Sequence, residues 1–204
     1  MIPFAERLLQ GRVVVADGGL GTELIERGLA PGICPETLNL SDPKMLSAIA
    51  SAYLEAGAEI LETNTFGGSP LKLSDFGLEN QMAEINERAV AIVKKVAGDR
   101  AYVSASVGPS GKILEPYGEV ASGTVFESYE RQIRSLVGAG AALICIETMM
   151  DLREATLAVA AAKAVSIKVP VMVTMTFEKT PRGFFTMMGS TIPQGVQALT
   201  EAGA

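Results

Sequence analysis

The sequence has no histidine, no tryptophan and only two cysteines among 204 residues, and aromatic residues make up just 5%. Without histidine there is no Ser-His-Asp triad, no Cys-His pair and no imidazole-ligated metal. Cys34 and Cys145 cannot form a four-cysteine zinc site, and the composition is not that of a disulfide-stapled secreted domain. No stretch is long and apolar enough to span a bilayer, and the opening MIPFAERLLQGR lacks a signal peptide's apolar core. Basic residues are also in deficit. Lys and Arg number 17 against 23 Asp and Glu, a formal net charge of -6, which argues against a nucleic-acid or anionic-membrane surface. The chain is read as soluble and cytoplasmic.

What is present is apolar and periodic. Hydrophobic residues make up 48%, enough for one sizeable core. Short apolar runs at 13–17, 59–63, 101–107, 143–147 and 171–177 read as about five strands. Amphipathic stretches at 43–56, 79–97, 124–137, 152–165 and 193–202 read as helices, with Asp42-Pro43 and Asp151 as start signals. This alternation predicts βαβ units and a parallel sheet, either doubly wound or a (β/α)8 barrel. The loops after the strands, 64–78, 108–123 and 178–192, are long and the opposite turns are short. That asymmetry favours the barrel, whose working residues follow its strands.

A weak repeat runs through the pattern. Ala56-Gly57-Ala58 precedes a strand ending Leu61-Glu62-Thr63, and Ala139-Gly140-Ala141 precedes one ending Ile146-Glu147-Thr148. In each, a left-handed glycine is expected to close a helix before the strand begins. Glu201-Ala202-Gly203-Ala204 repeats the signal with no strand after it. About five strands where a closed barrel has eight predicts that 1–204 is the N-terminal part of a longer (β/α)8 barrel.

Three segments at strand ends carry candidate chemistry. In Asp17-Gly18-Gly19-Leu20-Gly21, glycine N–H groups can approach an anion while Asp17 holds a cation, an arrangement suited to a zwitterion. The third glycine of a dinucleotide fingerprint is missing, because Leu24 stands there. A plain strand-to-helix turn capped by Asp17 is the competing reading. Glu147 follows an apolar strand, where a carboxylate needs a partner, or simply begins a surface loop. Asn64 and Phe66 lie in a loop that is either a pocket wall or ordinary turn chemistry. The segment from Ser106 to Pro109 is equally ambiguous. Cys145 is expected to fill core space and Cys34 to lie in an exposed loop, neither of them a thiolate nucleophile. The Met-rich segment 184–188 is either a mobile apolar lid or wall packing.

In order, ADGGLGTEL (16–24), ETNTFGGS (62–69), SVGPSG (106–111), ETMMDLREA (147–155) and VPVMVTMTFE (169–178) resemble the homocysteine S-methyltransferase family over nearly the whole chain. The likeness is strongest to the homocysteine-binding barrel of cobalamin-dependent methionine synthases. The resemblance implies a (β/α)8 barrel in which Asp17 and Glu147 hold the amino group of homocysteine. It places the substrate carboxylate on the N–H groups of Gly18 and Gly19, with Asn64 and Phe66 lining the mouth. It also implies Zn2+ on three cysteines, none of which matches Cys34 or Cys145, and cobalamin supplied through other domains or a corrinoid protein. Residues 1–204 alone are therefore expected to be inactive. Where the betaine-dependent relatives carry a Tyr after TNTF, this chain has Gly67, which counts against betaine as donor. Two other readings remain: a methyltransferase moving methyl groups from another donor onto a corrinoid protein, and a non-catalytic half-barrel interaction module.

Overall fold

The computed structural model describes all residues, 1–204. Helix α1 (Phe4–Leu9) precedes an extended segment at 13–17, and α2 (Leu20–Glu26) starts just after the glycine turn. A 3-10 turn (Pro35–Thr37), α3 (Leu38–Ser41) and α4 (Pro43–Glu55) lead into β1 (Ile60–Glu62). Helices α5 (Pro70–Leu73) and α6 (Met82–Ala97) lead into β2 (Tyr102–Val107), and α7 (Ser122–Ala139) into β3 (Leu143–Met149). Helix α8 (Leu152–Val165) is followed by β4 (Val171–Met175), then an antiparallel hairpin of β5 (Glu178–Thr180) and β6 (Gly183–Phe185), then α9 (Ile192–Ala202).

Local chemistry sets these boundaries. The Asp42 side chain accepts from the Met45 N–H at 3.1 Å and Pro43 fills the first turn of α4. Asp151 caps α8 by accepting from the Arg153 N–H at 2.8 Å. Thr191 and Gln194 form a reciprocal capping box at α9. The repeat is real in the backbone: Gly57 and Gly140 sit at φ 104° and 99°, the left-handed region that only glycine enters without strain, and each turns the chain from helix to strand.

The strand order is β1-β2-β3-β4, every neighbour parallel. A doubly wound sheet reverses direction at a switch point, and none occurs here. The order is that of a barrel wall. The 13–17 segment lies beyond β1, but it is not the strand expected. It is held by one bridge, Ala16 to Ile60, with the Asp17 N–H donating to the Ile60 carbonyl at 3.0 Å. It pairs on one side only and breaks at Gly18-Gly19, so the ladder does not develop. Strand β3 runs two residues further than expected, to Met149, and the third loop contains the β5–β6 hairpin.

Alternation along the strands separates two environments. Leu61, Val103, Ala105, Val107, Ile144 and Ile146 face outward under the helices, sharing one core with Leu54, Val93, Ile133, Leu136 and Val159. Ile60, Tyr102 and Leu143 face inward at the lower end, where Phe4 of α1 closes the bottom. The Phe4 and Tyr102 rings meet edge-on, with centroids 5.1 Å apart at 67°. Above this plug the inward positions turn polar: Glu62, Ser104, Ser106, Cys145 and Glu147. Phe4→Ala is expected to lower the unfolding free energy by about 3 kcal/mol, measured by urea denaturation. A loss below about 1 kcal/mol would show that α1 does not close the barrel floor.

Candidate functional site

The polar inner positions open into a cavity of about 450 Å³ at the carboxyl ends of the strands. Asp17, Glu62 and Glu147 enter it from the 13–17 segment, β1 and β3, with β2 between the last two, and no Lys or Arg is among its lining residues. The Glu62 N–H donates to Asp17 Oδ2 at 2.7 Å and fixes that carboxylate over the end of β1. Ser104 Oγ donates to Glu62 Oε1 at 3.5 Å, and Ser106 Oγ donates to Glu147 Oε1. Burial pushes Asp17 up to about 6, partly offset by backbone N–H donors. Burial, then the charge of Glu147, pushes Glu62 up to about 7. Removing carboxylates from water with no cation beside them favours their protonated forms.

Glu147 reaches the cavity by the regular alternation of β3, and a defect in the sheet follows it directly. The register between β3 and β4 shifts between Ile146 and Met149, so three steps on β3 meet two on β4. Thr148 occupies the extra place at φ 60°, left-handed backbone that costs a β-branched residue on the order of 1–3 kcal/mol. Its N–H donates to Thr174 Oγ1 at 3.1 Å. The bulge resets the alternation. Glu147 points inward, while Met149, two residues on, is fully buried in the outer core with the helices.

The mouth is built from loops. Gly18 and Gly19 line it, and neither N–H donates to an acceptor within the chain. A side chain at 18 is excluded, since its Cβ would lie 2.9 Å from Tyr53 Oη. Asn64 lines the same wall and donates to the Pro35 carbonyl at 2.7 Å, so its amide nitrogen is engaged. Phe66 is 41% exposed at the rim. Its ring lies against Gly108, where a Cβ would come within 2.6 Å of it. On the other side, buried Glu36 accepts from the Gly67 N–H at 2.6 Å. A Cβ at 67 would sit 2.9 Å from Glu36 Oε1.

All six residues singled out from sequence, Asp17, Gly18, Gly19, Asn64, Phe66 and Glu147, therefore line one cavity. Ser106, from the ambiguous 106–109 segment, lines it as well, and so do Glu36 and Glu62, which were not singled out. For Glu62 the signal was present in the repeat, because it holds the place in Leu61-Glu62-Thr63 that Glu147 holds in Ile146-Glu147-Thr148. Glu36 carries no local signal. It comes from a 3-10 turn that only the tertiary fold brings to Gly67.

Cys34 departs from expectation: it is buried against Leu73, Met82 and Ile85, its thiol donates to Glu36 Oε2 at 3.1 Å, and burial and that carboxylate push it up to about 12. Cys145 is buried as expected, but among polar neighbours on the inner face. Burial and the Glu62 carboxylate push its thiol well above the ordinary range. The Met-rich segment does not pack into a wall: Phe184, Met187 and Met188 are exposed. Zinc requires converging thiolate, imidazole or carboxylate donors. With no histidine, two protonated thiols on separate elements and no cluster of three candidate ligands, residues 1–204 do not fit a zinc ion.

A family model described as homocysteine S-methyltransferase matches residues 14–204. The chain belongs to the homocysteine S-methyltransferase family. It is 30% identical to the methionine synthase of Mycobacterium leprae over 213 residues and 30% identical to that of Mycobacterium tuberculosis over 214. Each alignment covers 96% of this chain but only 17% of the relative, so the chain spans about a sixth of their length. Its fold is that of the homocysteine methyltransferase MmuM from Escherichia coli. The metallated form of that protein superposes with a TM-score of 0.81 at 19% identity, covering 97% of this chain and 74% of the other. The oxidized form gives 0.77 at 20% identity, covering 95% and 71%. No helix is long and apolar enough to cross a membrane.

For this homocysteine S-methyltransferase relative, the acid cavity has a thermodynamic signature. Asp17 and Glu62 are held above their ordinary values of 3.8 and 4.5, so between about pH 4 and 7 the folded protein binds more protons than the unfolded chain. The stability they contribute is fully present below about pH 4 and lost as pH rises through 6 and 7. Glu62→Gln is expected to be more stable than the native protein at pH 8 and nearly equal to it at pH 4, by urea denaturation. A variant less stable than native at pH 8 would contradict the assignment of Glu62 as an uncompensated carboxylate.

Proposed function

We propose that the cavity binds homocysteine as the methyl acceptor of a methyl-transfer reaction. The observation that carries this reading is the pairing of opposite polarities across one small space. Carboxylates without a cationic partner and two glycine N–H groups without an acceptor within the chain line the same cavity. An α-amino acid is a zwitterion and complements both. In this reading Asp17 and Glu147 accept from the amino group, and the N–H groups of Gly18 and Gly19 donate to the carboxylate. Asn64 and Phe66 bound the thioalkyl arm, with Phe66 seated between Gly108 and the Gly67–Glu36 contact.

The methyl donor we propose is methylcobalamin, recharged from methyltetrahydrofolate and presented by a corrinoid protein or domain. Two observations support it. The relatives at 30% identity bear the name methionine synthase. A side chain at Gly67, where the betaine-dependent relatives carry a Tyr, would have to displace the Glu36 carboxylate, which lies 2.9 Å from its Cβ position. The family resemblance adds Zn2+ as the group that would hold a thiolate. Residues 1–204 do not form its site, and a free thiol at neutral pH is mostly protonated. We therefore propose that these residues bind and orient homocysteine without methylating it. Purified 1–204 supplied with methylcobalamin is expected to yield no methionine by mass spectrometry, and turnover would overturn that part of the reading.

Binding itself is the sharper test. Glu147→Gln removes a charge-assisted contact with the ammonium, worth roughly 1.5–3 kcal/mol. The homocysteine Kd is expected to rise about tenfold or more, measured by calorimetry. An unchanged Kd would remove Glu147 from the amino-group site. Native affinity is also expected to increase between pH 5 and pH 8, as the raised carboxyls of Asp17 and Glu62 give up their protons.

A further inference from the structure

The clamp of two carboxylates leaves something unaccounted for. A substrate ammonium has three N–H donors. Asp17 and Glu147 satisfy two, and a charged donor left unpaired in a half-buried cavity is costly. The groups that face the remaining direction can be named element by element. The 13–17 segment offers Asp17, β1 offers Glu62, β2 offers Ser104 and Ser106, and β3 offers Cys145 and Glu147. The hydroxyls of Ser104 and Ser106 donate to Glu62 and Glu147 and keep only neutral lone pairs, weaker partners for a charged donor than a carboxylate oxygen. Tyr53 of α4 borders a smaller void behind Asp17 and Glu62. Of the cavity's other acids, Glu36 is committed to the Gly67 N–H and the Cys34 thiol, so the charged acceptor that remains is the Glu62 carboxylate.

Glu62 also lacks the partners a structural carboxylate has. Its side chain meets only the Ser104 hydroxyl, at 3.5 Å, and the Cys145 thiol, and no cation lines its cavity. Buried charges kept for stability are paired. The two fully buried acids of the fold illustrate the contrast: Glu154 Oε1 accepts from Tyr129 Oη and from the Ser110 N–H, both at 2.8 Å, and Glu36 accepts from the Gly67 N–H and the Cys34 thiol.

Building on the homocysteine reading above, we propose that Glu62 is a substrate-binding residue, the third acceptor for the amino group. The 13–17 segment, β1 and β3 would then supply one carboxylate for each ammonium N–H. The proton balance follows. In the empty cavity burial and Glu147 hold Glu62 at about 7, so near neutral pH it carries a proton part of the time. The arriving ammonium keeps its three protons, the carboxyl loses its own, and that proton passes to the buffer.

Paired ligands test the assignment. Homocysteine and 4-mercaptobutanoate, which lacks the amino group, are titrated calorimetrically into the native protein and into Glu62→Gln, with folding checked by circular dichroism. Glu62→Gln is expected to raise the homocysteine Kd by about tenfold or more, while 4-mercaptobutanoate changes by less than about twofold or binds more tightly. At pH 7, titrations in phosphate and in Tris are expected to reveal proton release for the native protein and a smaller release, from Asp17 alone, for the variant. Equal weakening of both ligands would assign Glu62 a structural role and overturn the proposal, as would an unchanged homocysteine Kd. If Glu62→Gln does not fold, Glu62→Asp replaces it, with the same selective loss expected and the same overturning results. Native protein that binds no homocysteine would overturn the functional reading itself. Native protein that binds it, with the preference for the amino group intact in the variant, would overturn the role of Glu62 alone.

Discussion

Asp17, Glu62 and Glu147 crowd one end of a parallel sheet with no positive side chain among them. Left alone, that arrangement is unfavourable: like charges in a partly dehydrated space repel, and Asp17 and Glu62 resist ionising. The rest of the structure is what makes it sustainable. The outer faces of the same strands bury Leu61, Val103, Ala105, Ile144 and Ile146 against the helices, and Phe4 seals the floor of the inner face. The apolar layers hold the polar one in place. The strain at Thr148 belongs to the same economy, because without the bulge Glu147 and Met149 would lie on one face, and one of them would be in the wrong solvent.

The rim has a comparable logic. Phe66 and Gly67 are gripped from two sides, by Gly108 at the end of β2 and by Glu36 from the segment before α3. Two positions without side chains and one buried carboxylate therefore fix an aromatic ring at the entrance. Glu36 is itself tied to Cys34, so a thiol that looks available in the sequence is committed to supporting the rim.

Much of this was legible before any coordinates. The glycine-ended helices, the capping residues Asp42 and Asp151, and the alternation of apolar runs with amphipathic stretches specify a parallel barrel wall, since these are local signals acting through local physics. Asp17 and Glu147 stood out for the same reason: each is an acid at the end of an apolar run. What escaped was either non-local or defined by a partner. The 13–17 segment has strand composition, but strands are made by ladders, and it has a neighbour on one side only. Glu36 and the burial of Cys34 depend on a contact 31 residues away in sequence, between Glu36 and Gly67. Glu62 was half legible, since the repeat placed it opposite Glu147, yet its significance appears only when the two side chains are seen to share a cavity.

The central claim is that this acid-lined space recognises the amino group of a zwitterionic thiol. A crystal structure of the protein with homocysteine bound tests it most directly. The account requires the ligand nitrogen within about 3 Å of carboxylate oxygens of Asp17 and Glu147, with the ligand carboxylate on the N–H groups of Gly18 and Gly19. Homocysteine bound in the reverse orientation, or at another place on the molecule, would contradict it.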